Sequence, residues 1–493
     1  MILSELLSGF EYTNYCRTDI NVKGIAYDSR QVKKDFVFVA LPGTKTNGNS
    51  FAADAVSAGA IAVVSAATPQ GNGLPWITAI DPRKALAEMS ARFYRNPDRK
   101  LNVIGITGTN GKTTTSYFIE SIFNRNGVPS GVIGTVNYRY GGKTWPAPNT
   151  TPQSSDVYRI LSGMVRVKTM AAIIEVSSHA LMLERVRGIE FDMAIFTNLT
   201  RDHLDFHQTM DEYFAAKSRL FASLQNNSKK TPKCAIINAD DPWGKKLKTF
   251  VPKAKIVTYG LSPAADISAG HIALSGRGTD FVLSSPFGRS KIRLSHLGEH
   301  NVYNALAAAA AALYNGITFD NVIESLNAVP AVPGRLEQVA SGHGFTVVVD
   351  FAHTDDALHN VITALRALKP ARLITVFGCG GDRDRSKRPL MGEVATAGSD
   401  FVIVTSDNPR SEDPQKIALD IEVGIRRRNR NNYQVTIDRE QAIAAAIAMA
   451  QKGDIILLAG KGHETYQIIG NQRIHFNDAE TAGKYLHGKS LSS

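Results

Sequence analysis

Gly105-Ile106-Thr107-Gly108-Thr109-Asn110-Gly111-Lys112-Thr113-Thr114 follows the short apolar run 101–104 and precedes a helix-like stretch at 113–126. Strand, glycine loop, Lys-Thr and helix is the order that wraps backbone N–H groups around a nucleotide phosphate. Gly108 and Gly111 let the main chain approach the anion, Lys112 adds charge, and the Thr113 hydroxyl suits Mg²⁺. Ile106 stands five residues before Gly111 where the general phosphate loop has glycine, so the loop reads GxxGKT. The stretch predicts ATP or GTP binding in an α/β domain.

Outward from this loop the chain divides in three. A length of 493 residues suits about three domains. Residues 1–98 carry short strand-like runs at 36–40 and 60–64 with Gly and Asn turns between them. The polar stretch 95–100 reads as a linker. The segment 99–333 holds buried-strand candidates at 171–176, 193–197 and 235–238, each ending in polar residues. Functional groups are expected beyond the carboxyl ends of such strands. Pro330, Pro333 and Gly334 mark the second boundary. Residues 334–493 alternate strands (346–350, 373–377, 401–405, 455–459) with helices such as 357–368 and 439–450. That alternation predicts a parallel sheet with crossover helices.

Composition narrows the class. Apolar residues at 43% and charged residues at 20% fit folded domains with cores. The net charge of +11 would suit nucleic acid, but basic runs are short and no aromatic-rich basic ladder accompanies them. Anionic small molecules use the same charge. Cys16, Cys234 and Cys379 are scattered and odd in number, which points to a reducing compartment without a disulfide framework. The first residues carry no basic leader, and the apolar stretch 305–312 is too short to span a bilayer. A soluble, cytoplasmic protein without membrane insertion is expected.

Several clusters carry chemistry. Glu175-Val176-Ser177-Ser178-His179 follows a strand candidate, and a carboxylate there, downstream of a phosphate loop, is placed for Mg²⁺. Capping of the next helix is the alternative. The segment 197–207 packs Asp202, His203, Asp205 and His207 into six residues. Lys217, on the helix-like Tyr213-Phe214-Ala215-Ala216-Lys217, reads by itself as a solvated helix lysine. Gly378-Cys379-Gly380-Gly381-Asp382-Arg383-Asp384, Asp407-Asn408-Pro409-Arg410 and Gly460-Lys461-Gly462-His463-Glu464 each follow a strand at one end of one sheet. Such a rim suits a ligand bearing both amine and carboxylate, although Asp407-Asn408-Pro409 also reads as a plain turn.

Along nearly its whole length the chain resembles the Mur ligase family of peptidoglycan synthesis, nearest its diaminopimelate-adding members. The resemblance rests on 107–114, Asn149-Thr150-Thr151-Pro152, 175–179, 198–207, Gly334-Arg335-Leu336-Glu337 and Asp350-Phe351-Ala352-His353-Thr354, in family order. It implies three domains: a small α/β UDP-binding domain, a central phosphate-loop ATPase-like parallel-sheet domain and a C-terminal Rossmann-like amino-acid domain. It implies an ATP-dependent ligase joining meso-diaminopimelate to the D-glutamyl γ-carboxylate of UDP-N-acetylmuramoyl-L-alanyl-D-glutamate through an acyl phosphate. A monomer with small-molecule partners only is expected.

The same resemblance assigns roles. Gly108, Thr109, Asn110, Gly111, Lys112, Thr113, Thr114, Asn301, Arg335 and Asp350 would bind ATP. Ser29 and Thr44 would meet the UDP part, and Asn149, Thr150, Thr151, Ser177 and Arg185 the muramoyl dipeptide. Thr113, Glu175 and His207 would hold Mg²⁺, joined by Lys217 as a CO₂-derived carbamate. Arg383, Asp407, Asn408, Arg410, Gly460 and Glu464 would form the diaminopimelate pocket. In similar enzymes the arginine matching Arg410 marks diaminopimelate use, and lysine-adding members carry another residue. Diaminopimelate has one carboxylate more than lysine, and Arg is a planar bidentate partner for it. Lys112 is expected to be catalytic, and His203 or His353 to assist proton removal, with no choice between them.

Six positions depart from the family pattern: His300 stands for Phe, Phe351 for Tyr, Asp355 for Pro and Ala180 for Gly, while Thr44 and Lys45 differ from some relatives. Competing readings are a sibling ligase adding another amino acid, a folylpolyglutamate synthetase-like enzyme, and a nucleic-acid-dependent ATPase. The last leaves the clusters at Glu175 and His207 without a role.

Overall fold

The computed structural model describes residues 1–493 except 15, 44–45, 69–74, 226–232, 252–253, 276, 340–342 and 490–493. Three large sheets follow one another along the chain. The first runs Tyr12–Asn14, Trp76–Ala79, Ala60–Ser65, Phe36–Val39, Gly24–Ala26, parallel except at its first strand. The last runs Glu337–Val339, Thr346–Asp350, Ile455–Ala459, Leu373–Phe377, Phe401–Val404, Tyr433–Val435, antiparallel only at the first edge.

The central sheet has eleven strands. Its parallel heart places Asn102–Thr107 between Met193–Phe196 and Ala171–Glu175. Strands covered on both faces read as unbroken apolar runs, and every residue of Ala171–Glu175 and Met193–Phe196 is buried. Toward one edge the sheet continues through Ile267–Ser275, Gly278–Ser285 and Gly288–Leu294, whose two pairings are antiparallel. Helix Lys112–Arg125 turns Phe118, Ile119, Ile122 and Phe123 onto the sheet. Each such burial stabilises by roughly 1.5–3 kcal/mol. Helix Glu299–Leu313 lies against it, and its buried alanines at 305–312 let the two backbones approach closely.

Asp-Pro pairs start three helices. Asp81, Asp241 and Asp413 accept from the first-turn amides, with proline at the first helical position. Within the linker stretch at 95–100, Pro97 and Asp98 are buried. Pro97 opens a short 3-10 helix, and Asp98, 1% exposed, accepts the Glu190 amide at 2.9 Å.

Side-chain hydrogen bonds tie the first and last segments to the central one, two of them at the phosphate loop. Tyr27 Oη donates to Asp156 at 2.8 Å, Arg335 Nη2 to Thr113 Oγ1 at 3.3 Å, and Asn110 Nδ2 to Asp356 at 2.8 Å.

Candidate active site

The phosphate loop joins Asn102–Thr107 to Lys112–Arg125 at the carboxyl edge of the central sheet. Gly108 (φ +151°) and Gly111 (φ +88°) are required there: an added Cβ would meet Thr197 Oγ1 at 1.8 Å and Asn304 Oδ1 at 2.5 Å. The next strand end clamps the loop. Asn110 N donates to Asn198 Oδ1 at 2.9 Å, and Thr197 Oγ1 to Asn110 O at 2.6 Å. Lys112 Nζ folds back on its own loop, donating to the carbonyls of Gly108 and Thr109, both at 2.9 Å. Thr109 and Thr114 are buried in the same turn.

Glu175 ends the neighbouring strand and does not cap the helix after it; Ser177 does, accepting from Ala180 N. The Glu175 carboxylate instead accepts from Thr113 Oγ1 at 2.9 Å, Thr135 Oγ1 at 2.8 Å and Thr135 N at 3.1 Å. No group of three or more His, Cys, Asp and Glu among the described residues is placed to hold a metal ion. One carboxylate with one hydroxyl beside a phosphate loop is a donor set Mg²⁺ accepts, with substrate phosphates and water supplying the rest.

Lys217 corrects the surface reading of its helix. It is 2% exposed, donates to Gly108 O at 2.9 Å and stands 4.4 Å from the Tyr213 ring centroid. Burial, then the charge of Lys112, pushes its amine well below the ordinary lysine range. His207 stacks on the same Tyr213 ring, with centroids 5.0 Å apart. His207 Nε2 pairs with Ser178 Oγ at 2.9 Å, and burial lowers its pKa to about 4. Burial also keeps His203 neutral against the pull of Asp202, 3.3 Å from its Nε2. His353 is lowered to about 4 by burial, and its Nδ1 lies 2.8 Å from Phe351 O. The two histidines expected as proton acceptors are therefore both neutral.

A cavity of about 400 Å³ runs from the loop between the central and last sheets. Thr114, Asn301, Arg335, Asp350, His353 and Asp356 line it. Asn301 Nδ2 donates to Leu297 O at 2.8 Å, and its Oδ1 accepts from Asn304 Nδ2 at 3.0 Å. His300 also lines the cavity, lowered to about 4 by burial. Asp350 accepts the Leu336 and Ala352 amides at 2.7 and 2.8 Å, while burial raises its pKa. Arg335 Nε is buried without a partner, an N–H that an anionic ligand oxygen would satisfy.

On the other flank, Thr151 Oγ1 donates to Glu175 O at 2.7 Å and accepts the Ser177 amide at 3.1 Å. Thr150 Oγ1 lies 3.0 Å from Thr135 Oγ1. Asn149 O accepts from Tyr138 Oη at 2.5 Å. Arg185 Nη1 donates to Thr151 O at 2.9 Å, and its Nε is a second buried N–H without a partner. Ser29 begins a short 3-10 turn after Asp28 and Tyr27, and the Tyr27–Asp156 bond ties that turn to this flank. Thr44 and Lys45 lie outside the described residues.

Three loops of the last sheet form the facing rim. Asn408 is no mere turn residue. Its Nδ2 donates to Glu464 Oε2 at 2.8 Å, and its Oδ1 accepts the Ile468 amide at 2.9 Å. Asp407 is buried beside it, and Gly460 N donates to Asp350 O at 3.0 Å. Arg410 sits at φ +53°; its Nη1 donates to Gly381 O at 2.7 Å, and burial lowers its pKa. Arg383, on the exposed lip, donates to Asp382 O at 3.1 Å. Beneath the rim the buried pair Arg439–Asp478, at 2.7 Å, ties Ser406 O and Ala459 O together.

Sequence reasoning gave no role to Thr135, Asn198, Tyr213 or Lys461. Thr135 follows a glycine after a strand, the one local signal available; Asn198 is recruited by a contact across the chain, and Lys461 by Glu464 three residues on together with Asn408 from another loop.

The Mur ligase middle domain matches residues 106–312, the Mur ligase glutamate ligase domain residues 334–462, and the Mur ligase family catalytic domain residues 21–94. The chain is 46% identical to the UDP-N-acetylmuramoyl-L-alanyl-D-glutamate--2,6-diaminopimelate ligase of Solibacter usitatus (strain Ellin6076), over 99% of each chain. The similarly named ligase of Geobacter metallireducens is 44% identical over 94% of this chain and 93% of its own. A solved structure of a ligase of that name superposes with TM-score 0.69 at 33% identity, covering 99% of both chains.

Proposed function

The chain belongs to the Mur ligase family, and from that premise we propose the reaction its site performs. It is an ATP-dependent ligase that adds meso-diaminopimelate to the D-glutamyl γ-carboxylate of UDP-N-acetylmuramoyl-L-alanyl-D-glutamate, a step of peptidoglycan precursor synthesis. Residues 1–98 take the UDP part, 99–333 the ATP, and 334–493 the amino acid. The enzyme works in the cytoplasm as a monomer on small molecules alone.

The phosphate loop, with Lys112 at its mouth, holds the triphosphate, and Asn301, Asp350 and Arg335 hold the nucleoside and phosphate side. Ser29 and Thr44 meet the UDP, while Asn149, Thr150, Thr151, Ser177 and Arg185 orient the dipeptide. Its γ-carboxylate oxygen bonds to the terminal phosphorus as the bridge to ADP breaks. The acyl phosphate is then attacked at carbon by an amine of diaminopimelate; the amine loses its proton and inorganic phosphate leaves. His203 and His353, both neutral, are the two candidate acceptors of that proton. Arg383, Asp407, Asn408, Arg410, Gly460 and Glu464 position the amine. Enclosure between the last two sheets protects the acyl phosphate from water.

Thr113 and Glu175 would hold one Mg²⁺, and His207 with Lys217 as carbamate a second, supplying charge neutralisation at the triphosphate. The depressed basicity of Lys217 supports that modification: only a free amine adds to CO₂, forming an N–C bond and releasing a proton.

The observation that carries the acceptor assignment is the rim itself, with the Arg410 guanidinium beside the Asn408–Glu464 pair. The test is phosphate release from ATP with Mg²⁺ and the UDP-dipeptide, comparing meso-diaminopimelate with L-lysine. Release dependent on diaminopimelate is expected. Preference for lysine would overturn the acceptor, and no release with either would overturn the reaction.

A further inference from the structure

Two carboxylates face the acceptor rim, and their surroundings differ. Glu464 Oε2 is 2.8 Å from Lys461 Nζ and accepts from Asn408 Nδ2 at the same distance. Lys461 is 0% exposed, and its Nζ also reaches Asn408 Oδ1 at 3.4 Å. Asp407 has no cation within ion-pair distance among the described residues; its Oδ1 accepts only the Asn408 amide, at 2.6 Å. The buried Arg439 beneath both is already matched by Asp478.

We propose that Lys461 is the positioning residue that sets the charge of the acceptor pocket, so that it admits an amino-acid zwitterion and disfavours a simple cation. Lys461 neutralises Glu464 and orients it together with Asn408. One carboxylate without an ion pair among the described residues, Asp407, then remains for one ammonium, and Arg410 and Arg383 remain for one carboxylate. Diaminopimelate brings both groups at its far end. The lysine side chain brings only an ammonium and leaves the two guanidinium groups unmatched. Without Lys461, Glu464 would become a second free carboxylate, and a pocket of higher negative charge accepts a lone cation. Selectivity here comes from a charge placed against the wrong ligand as much as from contacts to the right one.

The proposal rests on the acceptor assignment above, so the wild-type enzyme is measured first. Phosphate release that ignores diaminopimelate would defeat that assignment and not this inference alone. With the wild type diaminopimelate-dependent, Lys461→Met is expected to lower the diaminopimelate-to-lysine ratio of kcat/KM by ~10-fold or more. The change should lie in the acceptor KM, with the KM values for ATP and UDP-dipeptide within about twofold, since the affected groups face only the acceptor. Removing one member of a buried pair strains the fold, so Lys461→Met/Glu464→Gln, which removes both charges, is measured beside it. The double variant should recover most of the lost ratio. A ratio unchanged in Lys461→Met, or lowered equally in both variants, overturns the proposal. If Lys461→Met does not fold, Glu464→Gln alone stands in: it should raise the diaminopimelate KM above that of the double variant, and equality overturns the proposal.

Discussion

Lys112 and Lys217 donate to the same oxygen, the Gly108 carbonyl, each at 2.9 Å. Two buried amines on one acceptor repel each other if both are charged. Burial lowers both, and Lys217 is lowered further by Lys112. Repulsion from Lys112 thus adds to burial in favouring the neutral amine at Lys217.

Replacing Lys217 with Ala is expected to cut turnover on the order of 10²-fold or more, with no recovery at high bicarbonate. Carbon-13 spectra of wild-type enzyme in labelled bicarbonate should show a carbamate resonance that the variant lacks. An active variant removes Lys217 from the chemistry.

Thr135→Val keeps the shape of the side chain but removes the 2.8 Å donor to Glu175. Partners that orient a metal-binding carboxylate are typically worth about 10–100-fold in metal affinity. The Mg²⁺ concentration giving half-maximal phosphate release should rise by about that range. An unchanged Mg²⁺ dependence would show that Glu175 is oriented without it.

Arg410→Ala is expected to lower kcat/KM for meso-diaminopimelate by ~100-fold, the value of a charge-assisted hydrogen-bond pair. Use of L-lysine should change only slightly. Equal loss for the two amino acids would mean that the guanidinium serves the fold and not recognition.

His296 lies under the phosphate-loop helix, 4.7 Å from the Phe118 ring centroid, with Nε2 unpartnered. Burial lowers its pKa from 6.5 to about 4. The unfolded chain thus takes up this proton before the folded one, and stability present above pH 6.5 is lost as pH falls toward 4. Between pH 7 and pH 5 the wild type should lose about 2 kcal/mol more than His296→Phe. Urea titrations at the two pH values measure this, and parallel losses would refute it.

Sequence alone reached three of the five parallel strands of the last sheet to the residue, 346–350, 373–377 and 455–459; it ran the fourth one residue long, 401–405 against Phe401–Val404, and missed Tyr433–Val435. Strands buried on both faces leave an apolar run that Gly and Asp punctuate. The antiparallel strands Ile267–Ser275, Gly278–Ser285 and Gly288–Leu294 were not legible, because they mix burial with solvent contact and carry Ser, Gly and Arg along their length. Within the site, Glu175 and the phosphate loop announce themselves because strand, loop and helix are local. Lys217 does not, since which face of a helix is buried depends on what packs against it. Lys461 and Glu464 lie in one short motif, yet their pairing depends on the turn that folds one side chain over the other.

Arg410 occupies the left-handed region of backbone space, with its N–H given to Ile468 O at 3.0 Å and its carbonyl taken by Gly470 N at 2.7 Å. Few side chains tolerate that conformation without cost. Asn, Asp and Gly enter it readily; β-branched residues do not. Position 410 is thus constrained twice, by the contacts of its guanidinium and by the dihedral angle beneath it. Any variant library aimed at a new acceptor is narrowed by the main chain at position 410 before a single ligand contact is considered.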